Sequence, residues 1–182
     1  MIEPSPPPIP GLLWREITFD DLALLVELEA KSHAVDGGFD FMKTSAILSA
    51  RYLPDTPGAS IGAFTEDGYL AASASVRWVN DEETCCAKIV GQVRPGWRSK
   101  GVGAYLMSWS GVQAQNLWCL TSEGPCLLEI RTESLTEAAR HLYISNGFSP
   151  TMEELVMHRK LDRSLPEKAH LLTGSTWWMA VW

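Results

Sequence analysis

Apolar and polar positions alternate with two distinct periods along this chain, and the change of period marks its elements. Five prolines in the first ten residues predict an extended arm. A short strand is expected around Leu13–Ile17. Thr18 with Asp21 three positions on is a capping box, and Ile17 and Leu22 hold the staple positions beside it. Leu22, Leu25, Val26 and Leu28 then carry the apolar side of a helix reaching about Ala34, which Gly37-Gly38 breaks. A shorter helix is expected over Thr44–Leu53, stopped by Pro54. Ser60–Thr65 and Tyr69–Arg77 flank Glu66-Asp67-Gly68 as a hairpin. After the polar turn Asn80-Asp81-Glu82-Glu83, Thr84–Val93 completes an antiparallel meander.

The period then becomes helical. Val102, Tyr105, Leu106, Trp109 and Val112 share one side of a helix over Gly101–Asn116. Cys126–Thr132 reads as a strand. Ser134 and Glu137 form a second capping box, and Leu135, Ala138, Ala139 and Leu142 repeat at helical spacing until Asn146-Gly147 caps the helix. Glu153–Leu161 is a last strand. The order β-α-α-β-β-β-α-β-α-β predicts an α/β (α+β) fold, a mixed and mostly antiparallel sheet with helices on both faces. Residues 1–12 are an arm, 13–161 the domain and 162–182 a tryptophan-rich tail.

Composition narrows the function. The 182 residues are 46% apolar and 20% charged, so the chain can bury a core without disulfides or metal. A net charge of −7, from 22 acids against 15 bases, argues against a general nucleic-acid surface. No apolar run suits a membrane span, and Met1–Pro8 lacks the marks of a signal peptide, so a cytoplasmic protein is expected. Cys85, Cys86, Cys119 and Cys126 show no C-x-x-C spacing and read as buried reduced thiols; the four histidines show no ligand spacing, and no metal is expected.

One segment concentrates chemistry. In Val93-Arg94-Pro95-Gly96-Trp97-Arg98-Ser99-Lys100-Gly101-Val102-Gly103-Ala104, a strand end, three cations and a glycine-bearing helix start follow one another. Unpaired N–H groups and the positive dipole end at a helix start attract phosphate. A phosphorylated ligand is one reading; a solvated basic turn is the other. Neither G-x-x-x-x-G-K-[ST] nor the third glycine of a dinucleotide fingerprint is present.

Arg98-x-x-Gly101-x-Gly103 between a strand and a helix resembles the acyl-CoA pyrophosphate motif of the GNAT N-acetyltransferases. Ala139-x-x-Leu142-Tyr143-x-x-x-Gly147-Phe148 resembles that family's A-x-x-L-Y-x-x-x-G-F block, although Thr136 stands where many members carry Asn. The resemblance spans about Leu13 to Leu161. It implies acetyl-CoA as co-substrate. Backbone groups of Arg98, Ser99, Lys100, Gly101, Val102, Gly103 and Ala104 would hold the pyrophosphate. Gln92 and Val93, on a strand splayed from its neighbour, would pair with the pantetheine arm and supply an oxyanion donor. Tyr143 would be the general acid that protonates the departing thiolate. Glu129 is a candidate base, with a structural pair to Arg131 as the alternative; Glu133, Asp36 and Asp40 are further candidates.

The implied function is transfer of an acetyl group to a primary amine, on a small molecule or a peptide, by direct attack in a ternary complex. The alternatives are a non-catalytic acyl-CoA-binding module and an enzyme using another acyl-CoA. The tail ends in Trp177-Trp178-Met179-Ala180-Val181-Trp182. Side chains of that size gain roughly 1.5–3 kcal/mol each on burial. The tail therefore either folds back over its own sheet or builds a two-fold homodimer.

Overall fold

The computed structural model of the chain describes residues 4–7, 9–37, 44–53, 55–81, 84–121 and 125–152. The chain divides into two compact units, Met1–Ser149 and Pro150–Trp182, and every element below lies in the first. They run β1 (Leu12–Arg15), α1 (Leu22–Asp36), α2 (Ser45–Tyr52), β2 (Gly58–Thr65), β3 (Leu70–Asp81), β4 (Thr84–Val93), α3 (Val102–Thr121), β5 (Cys126–Ile130) and α4 (Glu137–Ser145). The expected strand Glu153–Leu161 and the tail lie outside the described residues.

Among the described residues the sheet order is β1-β2-β3-β4-β5. The first four strands pair antiparallel, whereas β5 pairs parallel to β4. The parallel pair needs a crossover, and α3 supplies it. The Asp67-Gly68 hairpin forms as expected: Gly68 takes φ +82°, and its N–H donates to Thr65 O at 2.9 Å.

Alternation along β3 decides what covers each face. Ala72, Ala74, Val76 and Trp78 pack with Ala87 and Ile89 of β4 and with Val102, Tyr105, Leu106 and Trp109 of α3. The residues between them turn to α2. Ser73 Oγ pairs with Tyr52 Oη at 2.9 Å, Ser75 Oγ donates to Arg51 O, and Arg77 donates to Ala50 O. A second apolar cluster joins α1 and α2 to this side through Ile17, Leu25, Leu28, Leu48, Tyr52, Phe64 and Leu70. Burial, and secondarily the charge of Glu29, holds the Tyr52 hydroxyl well above its usual range.

The capping residues refine the expected boundaries. Asp21 accepts from the Thr18 N–H at 2.8 Å and from both terminal nitrogens of Arg15 at 2.7 Å. The Arg15 bond is the main reason its carboxyl falls to about 2. A single 3-10 turn, Phe19–Asp21, precedes α1. At α4 the Ser134–Glu137 box does not form. Thr136 is the cap, its Oγ1 accepting from Ala139 N–H at 3.2 Å, while the Ser134 hydroxyl donates to Asp36 O. α3 continues past Asn116 to Thr121, where Leu117 still packs on the core. None of the four thiols is in a disulfide, and only Cys86 is buried; Cys119, on α3, is exposed.

Candidate active site

The β4–β5 ladder starts at Cys85↔Cys126 and stops at Ile89↔Ile130. Beyond it, β4 continues to Val93, still paired with β3 through Ala72↔Val93 but without β5. The two strands thus part as expected, leaving one backbone edge of Val90–Val93 facing a cavity of about 590 Å³. Gln92 and Val93 line it. So do Glu29 and His33 of α1, Arg51 of α2, Met107 and Ser110 of α3, and Leu142 and Tyr143 of α4. Because α2 and α3 cover opposite faces of β3, the cavity passes through the notch from one face of the sheet to the other.

The mouth is the segment between β4 and α3. A 3-10 turn over Pro95–Trp97 leads to Ser99 at φ +59° and Gly101 at φ +83°, two left-handed residues that swing the chain into the helix. Tyr105 N–H to Gly101 O, at 3.0 Å, is the first bond of α3. The N–H groups of Val102, Gly103 and Ala104 precede it and are the donors a helix start leaves over. The Val102 side chain is fully buried, so only its backbone is available to a ligand. Gly103 has a second constraint: a Cβ there would meet Leu142 Cδ2 at 3.3 Å. The two sequence motifs therefore touch, through the close approach of α3 and α4.

The three cations separate. Arg98 donates through Nε to Val93 O at 3.0 Å and through both terminal nitrogens to Asp36, at 2.7 and 2.6 Å. Arg94 leaves the mouth, bonding Leu70 O and Glu27 and covering the Tyr69 ring. Lys100 lies over Trp97, 4.6 Å from the ring centroid. Arg98 and Arg94 thus fasten the end of β4 to α1, and the anion-attracting groups of the mouth are mainly backbone.

Tyr143 occupies the last turn of α4. Its carbonyl accepts from Phe148 N–H while Ile144 O accepts from Gly147 N–H at φ +84°, a Schellman cap. The Phe148 ring meets Tyr143 edge-on, with centroids 6.4 Å apart. The Tyr143 hydroxyl makes no hydrogen bond to any described residue, and burial raises its pKa.

The carboxylates sort by place. Glu129 does not line the cavity: it accepts from Arg131 Nε and, at 3.9 Å, from the Cys86 thiol. Asp36 lines it but is held by Arg98. Glu133 lines it and meets Arg51 at 3.4 Å. Asp40 lies outside the described residues. The sequence reading missed Glu29 and His33, one helical turn apart on α1, with Glu29 3.5 Å from Gln92 Nε2. Their i, i+4 spacing was visible, but nothing local places that side of α1 against β4. Among the described residues no group of three or more His, Cys, Asp or Glu is placed to hold a metal ion, and no helix is long and apolar enough to cross a membrane.

No protein-family model and no curated protein matches the sequence. Solved structures do match. A GCN5-related N-acetyltransferase from Sphaerobacter thermophilus superposes with a TM-score of 0.61 at 22% identity, over 78% of this chain and 44% of that one. A predicted acetyltransferase with acetyl-CoA from Clostridium acetobutylicum gives 0.57 at 14% identity, over 81% and 96%. An aminoglycoside acetyltransferase from an uncultured soil metagenomic sample, in complex with sisomicin, gives 0.53 at 18%, over 85% and 97%. The parted β4 and β5, the helix-start mouth and these superpositions agree: the chain has the fold of the GCN5-related N-acetyltransferases.

Proposed function

We propose that the protein belongs to that family and transfers an acetyl group from acetyl-CoA to a primary amine on a small molecule. One observation carries the reading. The open edge of Val90–Val93, the spare N–H groups at the start of α3 and the hydroxyl of Tyr143, unbonded among the described residues, all serve one cavity. In this reading the N–H groups of Gly101–Ala104 receive the CoA pyrophosphate. The edge of β4 pairs with the amides of the pantetheine arm as an added strand would. Arg98 acts by fixing the loop to Asp36 and Val93.

The amine nitrogen attacks the thioester carbonyl carbon. A C–N bond forms, the negative charge on oxygen meets a backbone donor of β4, and the C–S bond then breaks with its electron pair on sulfur. Tyr143 gives that sulfur its proton, and solvent restores the phenol. Burial raises the phenol's pKa, so it stays protonated through the neutral range, and loss of activity through its ionisation should begin only above the usual phenol range. The amine gives its surplus proton to Glu29, directly or through His33. Glu129 is left as the partner of Arg131.

The test is thiol release from acetyl-CoA against a panel of amines that includes aminoglycosides, polyamines and amino acids. Turnover with any of them supports the enzyme. CoA binding with no turnover across the panel would leave an acyl-CoA-binding module.

A further inference from the structure

Ser110 is a polar side chain in an apolar place. It is 1% exposed, and its Oγ is buried with no hydrogen-bond partner among the described residues, not even a carbonyl of its own helix. An unpaired buried hydroxyl costs free energy that a ligand could recover. It lines the cavity, whose apolar lining includes Ala74, Ile89, Leu106, Met107 and Ile130.

Its depth follows from the crossover. α3 runs back along β4, and Ser110 lies eight residues past Val102, about 12 Å down the helix. Val93 to Ile89 is about 13 Å along the strand. Ser110 lines the same cavity as Ile89 and Ile130, the pair at the closed end of the notch. A thioester entering at the mouth would bring its acyl group there.

We propose that Ser110 with Met107 forms an acyl-recognition subsite, selective for a short acyl chain bearing a neutral oxygen, such as a 3-hydroxyacyl group. This rests on the CoA-thioester reading above and widens its acyl donor from acetyl to a short hydroxylated chain. An acetyl methyl leaves the hydroxyl unbonded, and a serine hydroxyl brings no charge to balance a carboxylate. A hydroxyl on the third carbon exchanges one hydrogen bond with Ser110, while Met107 adapts its shape to the chain.

The experiment is calorimetric titration of wild type and Ser110→Ala with free CoA, butyryl-CoA and 3-hydroxybutyryl-CoA. Wild type should bind the hydroxylated thioester about three- to tenfold more tightly than butyryl-CoA. Ser110→Ala should abolish or reverse that preference, bind free CoA as wild type does, and melt no lower, since alanine removes an unsatisfied group. Equal affinities in wild type, or a preference that survives the substitution, would overturn the subsite. A variant weakened equally toward all three ligands would also overturn it, by placing the hydroxyl on the pantetheine arm. Absence of free-CoA binding in wild type would remove the CoA reading itself and the subsite with it.

Discussion

The two halves of β4 are built for different ends. From Cys85 to Ile89 the strand is paired on both sides, and Cys86, Ala87 and Ile89 are buried. From Val90 to Val93 it keeps only β3, and its other edge faces the cavity. In the first half, backbone hydrogen bonds are satisfied by protein and side chains supply stability. In the second, one backbone edge is left open to the cavity, and the strand end is fastened from outside by Arg94 to Glu27 and Arg98 to Asp36. An open strand end is tolerable when its neighbours are fastened elsewhere.

The largest effect that would separate the halves is loss of the acid. Tyr143→Phe should lower kcat by roughly 10²–10⁴ with CoA affinity and unfolding midpoint unchanged. Wild-type turnover in that variant would remove Tyr143 from the chemistry. The matching change on the closed half is Trp78→Ala, opposite Ala87 in the register. It should cost about 3–5 kcal/mol in denaturant unfolding. A small loss would mean that the closed half is not where stability resides.

Next come the fasteners. Arg98→Ala and Asp36→Asn should each weaken CoA binding, and a double-mutant cycle should give a coupling of about 1 kcal/mol between them. Additive losses would show that the pair does not position the mouth. Asp21, which belongs to neither half, offers a smaller effect. Its carboxyl is held at about 2, well below an unfolded aspartate, chiefly by the Arg15 hydrogen bond. Its contribution is therefore complete above about pH 4 and is lost as pH falls toward 2. The loss should be about 1 kcal/mol, because Arg15 is partly exposed. Asp21→Asn should flatten that part of the stability profile. Glu129→Gln should be smallest, changing neither rate nor its pH dependence.

The sequence made the strands and the mouth legible because their signals are local. Thr84–Val93 was expected with the boundaries it has, and Gly68, Gly101 and Gly147 each take the left-handed conformation their positions demand. Partners brought together by folding were not legible. The resemblance placed the backbone of Arg98 in the phosphate loop, but no local signal told that its side chain gives two N–H groups to Asp36, 62 residues away. The cap of α4 was misplaced by two residues because Ser134 and Thr136 are both able to cap, and only the contact of Ser134 with Asp36 O separates them. The α1 wall, Glu29 and His33, depended on knowing which side of that helix meets β4.

The cap at the end of α4 also bears on reorganisation energy. Tyr143 is placed by its carbonyl and its ring, through the Phe148 N–H and the Phe148 edge, while its O–H bond is committed to nothing in the described residues. In the proposed reading, a proton donor held in this way breaks no bond to a described residue before it gives up its proton. The precision of that transfer then rests on a residue with no chemistry of its own. Gly147→Ala would strain the left-handed position by about 1 kcal/mol and tilt the last turn. The expected signature is a lower kcat with unchanged CoA affinity, measured by steady-state kinetics beside calorimetry, from a substitution four residues away from the phenol.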